Sequence, residues 1–304
     1  MSARVGVIIP NYNHASFLIE RINSVLNQTF QDIDVYILDD KSPDNSREII
    51  EKYRNNPRVK SIIYNEENSG SSFVQWNRGI LASDNELIWI AESDDICDLR
   101  LLENLVAEFD QDKDCVLAFS TSVFVDANGI LKEKSVSDET IRTTGLNFIQ
   151  SNMYRANTVK NASSALFKRN AALNVGQEYT TYKGAGDWLF WVEIAKQGNI
   201  AWVRKPLNYF RQHENTTKRL YVNGTTFKEL KKLFSIFKSR GYINTSIKNH
   251  IVNSDLIFLI KGVDFLNKEI EKEVNTLFKF SLVDYLYYYL RIVRLFLISR
   301  LKII

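Results

Sequence analysis

Short apolar runs alternate with stretches of helical periodicity along the first third of the chain. Residues 5–9, 34–38, 59–64 and 86–91 are apolar runs of strand length. A pattern of helical spacing follows each of the first three runs. Strands joined by single helices require right-handed crossovers, which make neighbouring strands parallel. The sequence therefore predicts an α/β fold with a mostly parallel central sheet flanked by helices.

Size and composition limit the function. A chain of 304 residues can bury one large core, with or without a smaller appendage. The 39 Lys and Arg nearly balance the 36 Asp and Glu, which argues against a general nucleic-acid partner. Cys97 and Cys115 fit neither a disulfide framework nor a zinc site and suggest a reducing compartment. The first strand begins too early for a signal sequence, so we expect a cytoplasmic protein.

Polar clusters follow the predicted strands. Residues 10–13, 39–42 and 65–72 leave the first three strands, and four carboxylates lie within residues 92–98 after the fourth. Any single cluster fits an ordinary turn or helix cap. In a parallel sheet, however, the carboxyl ends of the strands share one edge, where ligands bind. Carboxylate pairs on neighbouring strand ends repel each other unless a cation lies between them, and a divalent cation with a diphosphate fits that requirement.

Five collinear motifs resemble one enzyme family. They are "VIIPNYNHASFLIERINSVLNQTFQDIDVYILDDKSPDNS" (7–46), "NSGSSFVQWNRGI" (68–80), "ESDD" (92–95), "GDW" (186–188) and "RQH" (211–213). Together they resemble the inverting glycosyltransferases of family two, which have the GT-A nucleotide-sugar-binding fold. The resemblance implies a nucleotide-sugar-dependent transferase, of the type that builds bacterial cell-envelope polysaccharides.

The resemblance also implies a donor site. Tyr12 would stack on the base, Asp40 would accept a hydrogen bond from an imide N–H, and Asp94 would lie against the ribose or sugar. Uracil has that N–H whereas cytosine and adenine lack it, which favours a UDP-sugar, although thymine and guanine also offer an N–H. For Arg78, a solvated helix face is the alternative. The implied donor residues are Pro10, Tyr12, Asp40, Asn68, Gly70, Arg78 and Asp94.

A metal and a base complete the implied chemistry. Asp95 is the expected carboxylate on Mn²⁺ or Mg²⁺, and His213 is a second expected ligand, for which a satisfied, partly buried histidine is the alternative. Glu92 stands where many family members have Asp. Asp187 precedes an apolar helical run, and on the residues alone it is a good N-cap. The resemblance makes Asp187 the base, and many members carry Glu where this chain has Gly186.

One metal-bound leaving group and one positioned carboxylate imply direct displacement with inversion. The Gln-x-x-Arg-Trp signature of processive synthases is absent from the sequence, so we expect transfer of one sugar per encounter to a glycan or lipid-linked glycan acceptor. Two alternatives stay open. The first is a nucleotidyltransferase, which needs a Gly-rich phosphate loop after the first strand, whereas this chain has Pro-Asn-Tyr-Asn at residues 10–13. The second is a catalytically silent scaffold, which should not bind nucleotide or metal.

The last part of the chain differs in composition. We expect a catalytic domain at 1–217 and a helical extension at 218–304. Segment 277–304 is rich in Leu, Ile, Phe and Tyr, but its longest charge-free run, 285–290, is too short to span a bilayer. Arg291, Arg294 and Lys302 share one helical face, which predicts an amphipathic helix lying on the inner face of the membrane. Packing on the protein itself or on a homodimer partner is the alternative.

Overall fold

The structure is a computed structural model that describes residues 2–126, 137–212 and 216–301. The chain divides into two compact units. The first consists of Met1–Phe148 and Thr158–Glu214, and the second of Ile149–Asn157 and Asn215–Ile304. The second unit thus takes a short segment from the middle of the chain, which a boundary drawn in chain order does not reveal.

The first unit contains the sheet. Its strands are β1 (Val5–Asn11), β2 (Ile33–Asp39), β3 (Val59–Tyr64), β4 (Leu87–Ile90), β5 (Ile96–Cys97), β6 (Cys115–Val125), β7 (Thr140–Thr144), β8 (Ala165–Lys168) and β9 (Asn199–Arg211). Its helices are α1 (Ala15–Leu26), α2 (Ser46–Glu51), α3 (Ser72–Ala82), α4 (Leu101–Gln111), α5 (Gly145–Phe148), α6 (Arg169–Leu173) and α7 (Gly186–Ala195).

The described strands form one sheet in the order β3-β2-β1-β4-β8-β6-β9-β5, with β7 also paired to β9. The α/β prediction is confirmed, but the sheet is mixed rather than mostly parallel. β1, β2, β3 and β4 pair in parallel, as do β6 and β9, whereas β8 runs antiparallel to both of its neighbours. The regular alternation of strand and helix ends with β4, so the crossover argument holds only for the first half of the sheet.

Helices cover both faces of the parallel part. Val5, Val7 and Ile9 face the side on which α1 packs, through buried side chains such as Leu18 and Ile22. α3 covers the other face. It approaches β1 so closely that a Cβ at Gly79 would lie 2.5 Å from Cγ2 of Ile8, which explains why this helix carries glycine in its interior. Strands buried on both faces account for the continuous apolar runs in the sequence.

The second unit is helical. Its helices are α8 (Thr216–Val222), α9 (Thr225–Ser239), α10 (Ser246–Lys261), α11 (Lys268–Leu277) and α12 (Leu282–Leu301). The middle segment is fixed to them by Arg155, which makes a two-pronged ion pair with Asp255 of α10 at 2.9 and 3.0 Å. Among the described helices, none combines the length and apolar character that crossing a bilayer requires.

Candidate active site

The order of the first strands creates a crevice. β2 and β3 are added on one side of β1, and β4 is added on its other side, so the strand order reverses at β1. Ligands bind at the carboxyl ends of strands beside such a reversal. The segments that follow β1 and β4 meet there, because Nδ1 of His14 lies 2.8 Å from Oγ of Ser93. The residues predicted from the first, second and fourth strand ends therefore belong to one edge.

Asp40 organises the loop after β3. Its buried carboxylate accepts hydrogen bonds from the side chains of Asn65, Asn68, Ser69 and Gln75, at 2.5 to 3.1 Å, and from the backbone N–H of Ser69. The sequence predicts this carboxylate as an acceptor for a base N–H. Since both oxygens already have protein donors, a base N–H has to share or replace one of them.

Tyr12 is 47% exposed at the end of β1, and its ring is therefore accessible to a flat ligand. The next residue, Asn13, has a φ of 58°, and its backbone N–H donates to Oγ of Ser42 at 3.0 Å. This bond links the segment after β1 to the segment after β2. Pro10 is buried within β1, so its contribution is to the course of the backbone beneath Tyr12.

The loop of Asn68 and Gly70 is joined to a distant loop. Gly70 has a φ of +66°, a conformation that favours glycine, and its carbonyl accepts a hydrogen bond from Nζ of Lys183 at 2.8 Å. Oγ of Ser71 donates to the carbonyl of Tyr182 at 3.3 Å. These contacts bring the loop that precedes α7 to the predicted donor loop. Sequence reasoning missed Lys183, because a single exposed lysine gives no signal.

Arg78 is exposed on α3, and its guanidinium donates to the side chain of Asn65. Asn65 in turn donates to Asp40. Arg78 thus belongs to the hydrogen-bond network of the donor loop and is more than a solvated charge on a helix face.

The side chains of the acidic stretch after β4 alternate between partly exposed and buried. Glu92 and Asp94 are partly exposed, whereas Ser93 and Asp95 are buried. Ser93 and Asp94 lie in a turn, in which the backbone N–H of Asp95 donates to the carbonyl of Glu92 at 3.3 Å, and Nε1 of Trp76 donates to the side chain of Glu92 at 2.7 Å. The sequence does not reveal which of these carboxylates faces the crevice.

Asp95, the predicted metal ligand, is engaged in hydrogen bonds within the protein. Its carboxylate is 1% exposed and accepts hydrogen bonds from Nδ2 of Asn161 at 2.8 Å, Oγ of Ser163 at 2.7 Å and the backbone N–H of Arg211 at 3.1 Å. A carboxylate with three internal donors stabilises the packing of the segments that carry those donors. Asp94, which is more exposed, is the better placed ligand.

The three carboxylates are close enough to influence one another. Burial raises the pKa of Glu92 to about 8, and the charge of Asp94 adds to the effect, whereas the hydrogen bond from Nε1 of Trp76 acts in the opposite direction. Burial and the charge of Asp94 also raise the pKa of Asp95. Negative charge is therefore unfavourable at this edge unless a cation compensates it.

Arg21 supplies one such cation from inside the protein. Its side chain on α1 is fully buried, lies 4.9 Å from the ring centroid of Trp89, and has no hydrogen-bond partner on any guanidinium nitrogen among the described residues. Its charge lowers the pKa of Glu92 and of Asp95. Sequence reasoning missed Arg21, although an arginine within the apolar stripe of α1 was a visible signal.

The donor atoms present fit a divalent cation that is shared with a substrate. In the part of the chain that the structure describes, no group of three His, Cys, Asp or Glu side chains is arranged so that it could hold a metal ion by itself. Mg²⁺ and similar ions, however, are commonly held by one or two carboxylates together with phosphate oxygens and water. Asp94, whose side chain is partly exposed, meets that requirement. His213, the other predicted ligand, lies outside the described residues.

Asp187 lies in the first turn of α7 and is partly exposed. Its Oδ1 accepts a hydrogen bond from the backbone N–H of Trp188 at 2.7 Å. The preceding Gly186 has a packing reason, because a Cβ there would lie 2.6 Å from the carbonyl oxygen of Tyr179 and 2.8 Å from the ring of Phe73. A glutamate, common in the family at this position, does not fit in this backbone arrangement.

An α/β sheet with an acidic crevice at the β1/β4 strand ends is typical of ligand-binding α/β proteins. The glycosyl transferase family 2 model matches residues 6–176, more than half of the chain, and the chain belongs to that family. It is 27% identical over 253 residues to an uncharacterized glycosyltransferase of Nostoc sp.. The match covers 79% of this chain and 74% of the relative.

Two solved structures share the fold. S. aureus TarS 1-349 in complex with UDP-GlcNAc matches with a TM-score of 0.58 at 20% identity, covering 90% of this chain and 83% of TarS. The mannosyltransferase PcManGT from Pyrobaculum calidifontis, in complex with GDP-Man and Mn²⁺, matches with a TM-score of 0.55 at 15% identity. This match covers 91% of this chain and 84% of PcManGT. The protein is a glycosyltransferase with the GT-A fold, as the sequence motifs predict.

Proposed function

We propose that the protein is an inverting, non-processive glycosyltransferase. It transfers one hexosyl or N-acetylhexosaminyl unit from a UDP-sugar to a hydroxyl group of a glycan or lipid-linked glycan. The supporting observation is the attachment of the Asp187 loop to the donor loop, through Lys183 and Gly70 and through Ser71 and Tyr182. This attachment brings a carboxylate from α7 to the same edge as the predicted nucleotide site.

The donor occupies the edge formed after β1, β2 and β3. Tyr12 stacks on the base, while Asp40 fixes Asn68 and the neighbouring backbone for contact with base and ribose. Pro10, Gly70 and Arg78 complete this site. UDP is preferred because the related TarS fold is recorded with UDP-GlcNAc.

Asp94 holds the divalent cation, Mn²⁺ or Mg²⁺. When bound, the cation neutralises the negative charge that develops on the departing diphosphate. The PcManGT complex, which contains Mn²⁺, favours such an ion in this fold. Asp95 maintains the backbone of the acidic stretch through Asn161, Ser163 and Arg211.

Asp187 is the general base. Its carboxylate takes the proton of the acceptor hydroxyl while that oxygen bonds to the anomeric carbon and the bond to the diphosphate oxygen breaks. Its place in the first turn of α7 stabilises the ionised form that a base requires. Displacement from the side opposite the diphosphate inverts the anomeric configuration, and no covalent sugar-enzyme intermediate forms.

Catalysis belongs to the first unit, close to the predicted domain 1–217. The second unit brings the enzyme to the inner face of the cell membrane, where a lipid-linked acceptor is found. Formation of nucleotide-sugars is disfavoured because residues 10–13, "PNYN", do not provide a Gly-rich phosphate loop.

Calorimetric titration with UDP, GDP and dTDP, each with and without Mn²⁺, tests the donor site. We expect Mn²⁺-dependent UDP binding that Asp94→Asn weakens at least about tenfold. Asp95→Asn should mainly lower the Tm, since it disturbs a buried carboxylate with three donors. If none of the nucleotides binds, the protein is a silent scaffold and the proposal is wrong.

The role of Asp187 has its own test. Asp187→Asn should keep UDP affinity within about twofold of the wild type and reduce transfer by about 10²- to 10⁴-fold, the usual contribution of a general base. Transfer is measured as release of UDP from UDP-sugars in the presence of a glycan acceptor. Parallel loss of UDP binding would assign Asp187 a structural role as a helix cap.

A further inference from the structure

One side of α12 is apolar and exposed. Leu282, Leu286, Tyr289, Leu290 and Val293 are each more than half exposed. Residues in a helix advance by about 100° per position, so these side chains lie on one side of α12. A surface helix normally turns its apolar stripe inward, which makes this orientation unusual.

Two charged residues of α12, Asp284 and Arg291, point the other way. Asp284 is buried and receives a hydrogen bond from Nδ1 of His250, on α10, at 2.6 Å. Arg291 pairs with Asp255, and its guanidinium lies 4.3 Å from the ring centroid of Phe258. The predicted basic face is therefore wrong for Arg291, because this residue serves the packing of α12 on α10. Arg294 is exposed, and Lys302 lies outside the described residues.

The helical unit is strongly basic. Its residues, 149–157 and 215–304, include 17 Lys and Arg against 7 Asp and Glu, a net formal charge of +10. The first unit has 22 against 29, a net charge of −7. The overall charge of +3 conceals this division. An apolar helix face on a cationic unit matches a surface that is both apolar and anionic.

We propose that the exposed apolar face of α12 docks on an anionic lipid bilayer, with the helix lying in the plane of the interface. Apolar contact combined with attraction between basic residues and acidic headgroups is the usual basis of such binding. A second copy is the less favourable occupant, since pairing α12 with α12 brings two units of like charge together. The benefit to catalysis rests on the proposed transfer to a lipid-linked acceptor, but docking itself needs neither donor nor acceptor.

Vesicle flotation of the full chain tests the docking. The probes are vesicles of phosphatidylcholine alone and of phosphatidylcholine mixed with phosphatidylglycerol. We expect at least about tenfold stronger binding to the anionic vesicles, weakened by added salt. The double variant Leu286→Glu, Tyr289→Glu should lose this binding. The control is Leu266→Glu, which places one such charge at an exposed leucine between α10 and α11 and should bind like the wild type.

Three results would overturn the docking proposal: no flotation of the wild type, equal flotation of the double variant, or equal binding to neutral vesicles. Sedimentation in the absence of lipid measures self-association, and a dimer that the double variant dissociates would assign the face to a second copy. UDP calorimetry on the same variants separates this proposal from the proposed function. Normal UDP binding without flotation rejects only the docking, whereas flotation without UDP binding rejects only the donor assignment.

Discussion

Two ionisable residues, Arg21 and Glu92, control the acidic edge at the scale of single residues. Arg21 is a guanidinium without a hydrogen-bond partner among the described residues, and Glu92 carries a pKa of about 8. A buried charge is costly unless another charge compensates it. The acidic edge therefore explains why an arginine is buried at position 21. Substitution of either residue should change how the Tm depends on pH.

Glu92 should make the metal-free protein less stable as pH rises. Its folded-state pKa of about 8 lies above its ordinary value of 4.5, so the native state holds a proton that the unfolded chain releases. The associated stability is complete below the ordinary value and is lost as pH rises through about 8. We expect the Tm in EDTA to fall across this range. Glu92→Gln should flatten the dependence, and an unchanged slope would contradict the assignment.

Arg21→Met should increase the same pH dependence. At about pH 5 the carboxyls of Glu92 and Asp95 are protonated because their pKa values are raised, so loss of the buried guanidinium should leave the Tm equal or raise it. At about pH 9 the carboxylates lack compensation, and the Tm should fall below that of the wild type by at least about 2 °C. Lys52→Met, at an exposed lysine, is the control and should show a pH-independent difference. Parallel Tm curves for Arg21→Met and wild type would show that Arg21 does not compensate the edge.

The proposed metal carboxylate shows the limit of sequence reasoning at this scale. The run of Glu92, Asp94 and Asp95 identified the edge, and the fourth strand was recognisable because it is wholly apolar. Which carboxylate turns inward depends on the backbone direction after β4 and on donors from Asn161 and Ser163, some 70 positions later. A local pattern does not contain that information.

At the scale of elements, α7 depends on a glycine at its start. A Cβ at Gly186 meets the backbone of Tyr179 and the ring of Phe73, and backbone cannot move aside cheaply. Gly186→Ala should therefore cost about 1–3 kcal/mol of unfolding free energy and should reduce transfer by displacing Asp187. Gly262→Ala is the control, since its Cβ makes only ordinary contacts, from 3.4 Å. Denaturant unfolding measures both variants, and equal stability would show that the loop relaxes.

The parallel half of the sheet was predictable and the antiparallel half was not. β1 and β4 are buried throughout, so their sequences are continuous apolar runs. β5 has two residues, which is too short for a periodic pattern to distinguish it from a loop, and the strand character of residues 165–168 does not show which strands β8 joins. Their positions follow from pairing with β9, β4 and β6, and such long-range pairing is not encoded in local composition.

At the scale of the whole molecule, an overall composition hides the contrast between the two units. The net charge of +3 correctly argued against a chain that is basic throughout, yet it combines −7 and +10. The segment of residues 277–304 was recognisable as apolar and too short to span, but the side that α12 turns outward was not. That side depends on Asp255 and His250 of α10, which attract Arg291 and Asp284.

The middle segment Ile149–Asn157 has a consequence for how the protein is made and cut. The chain passes between the units three times, at 148/149, 157/158 and 214/215, so a single protease cut cannot separate them. During synthesis, Arg155 leaves the ribosome about a hundred residues before its partner Asp255. A truncation at residue 217 therefore leaves this segment without its partners, and fragments of the chain are poor substitutes for the intact protein.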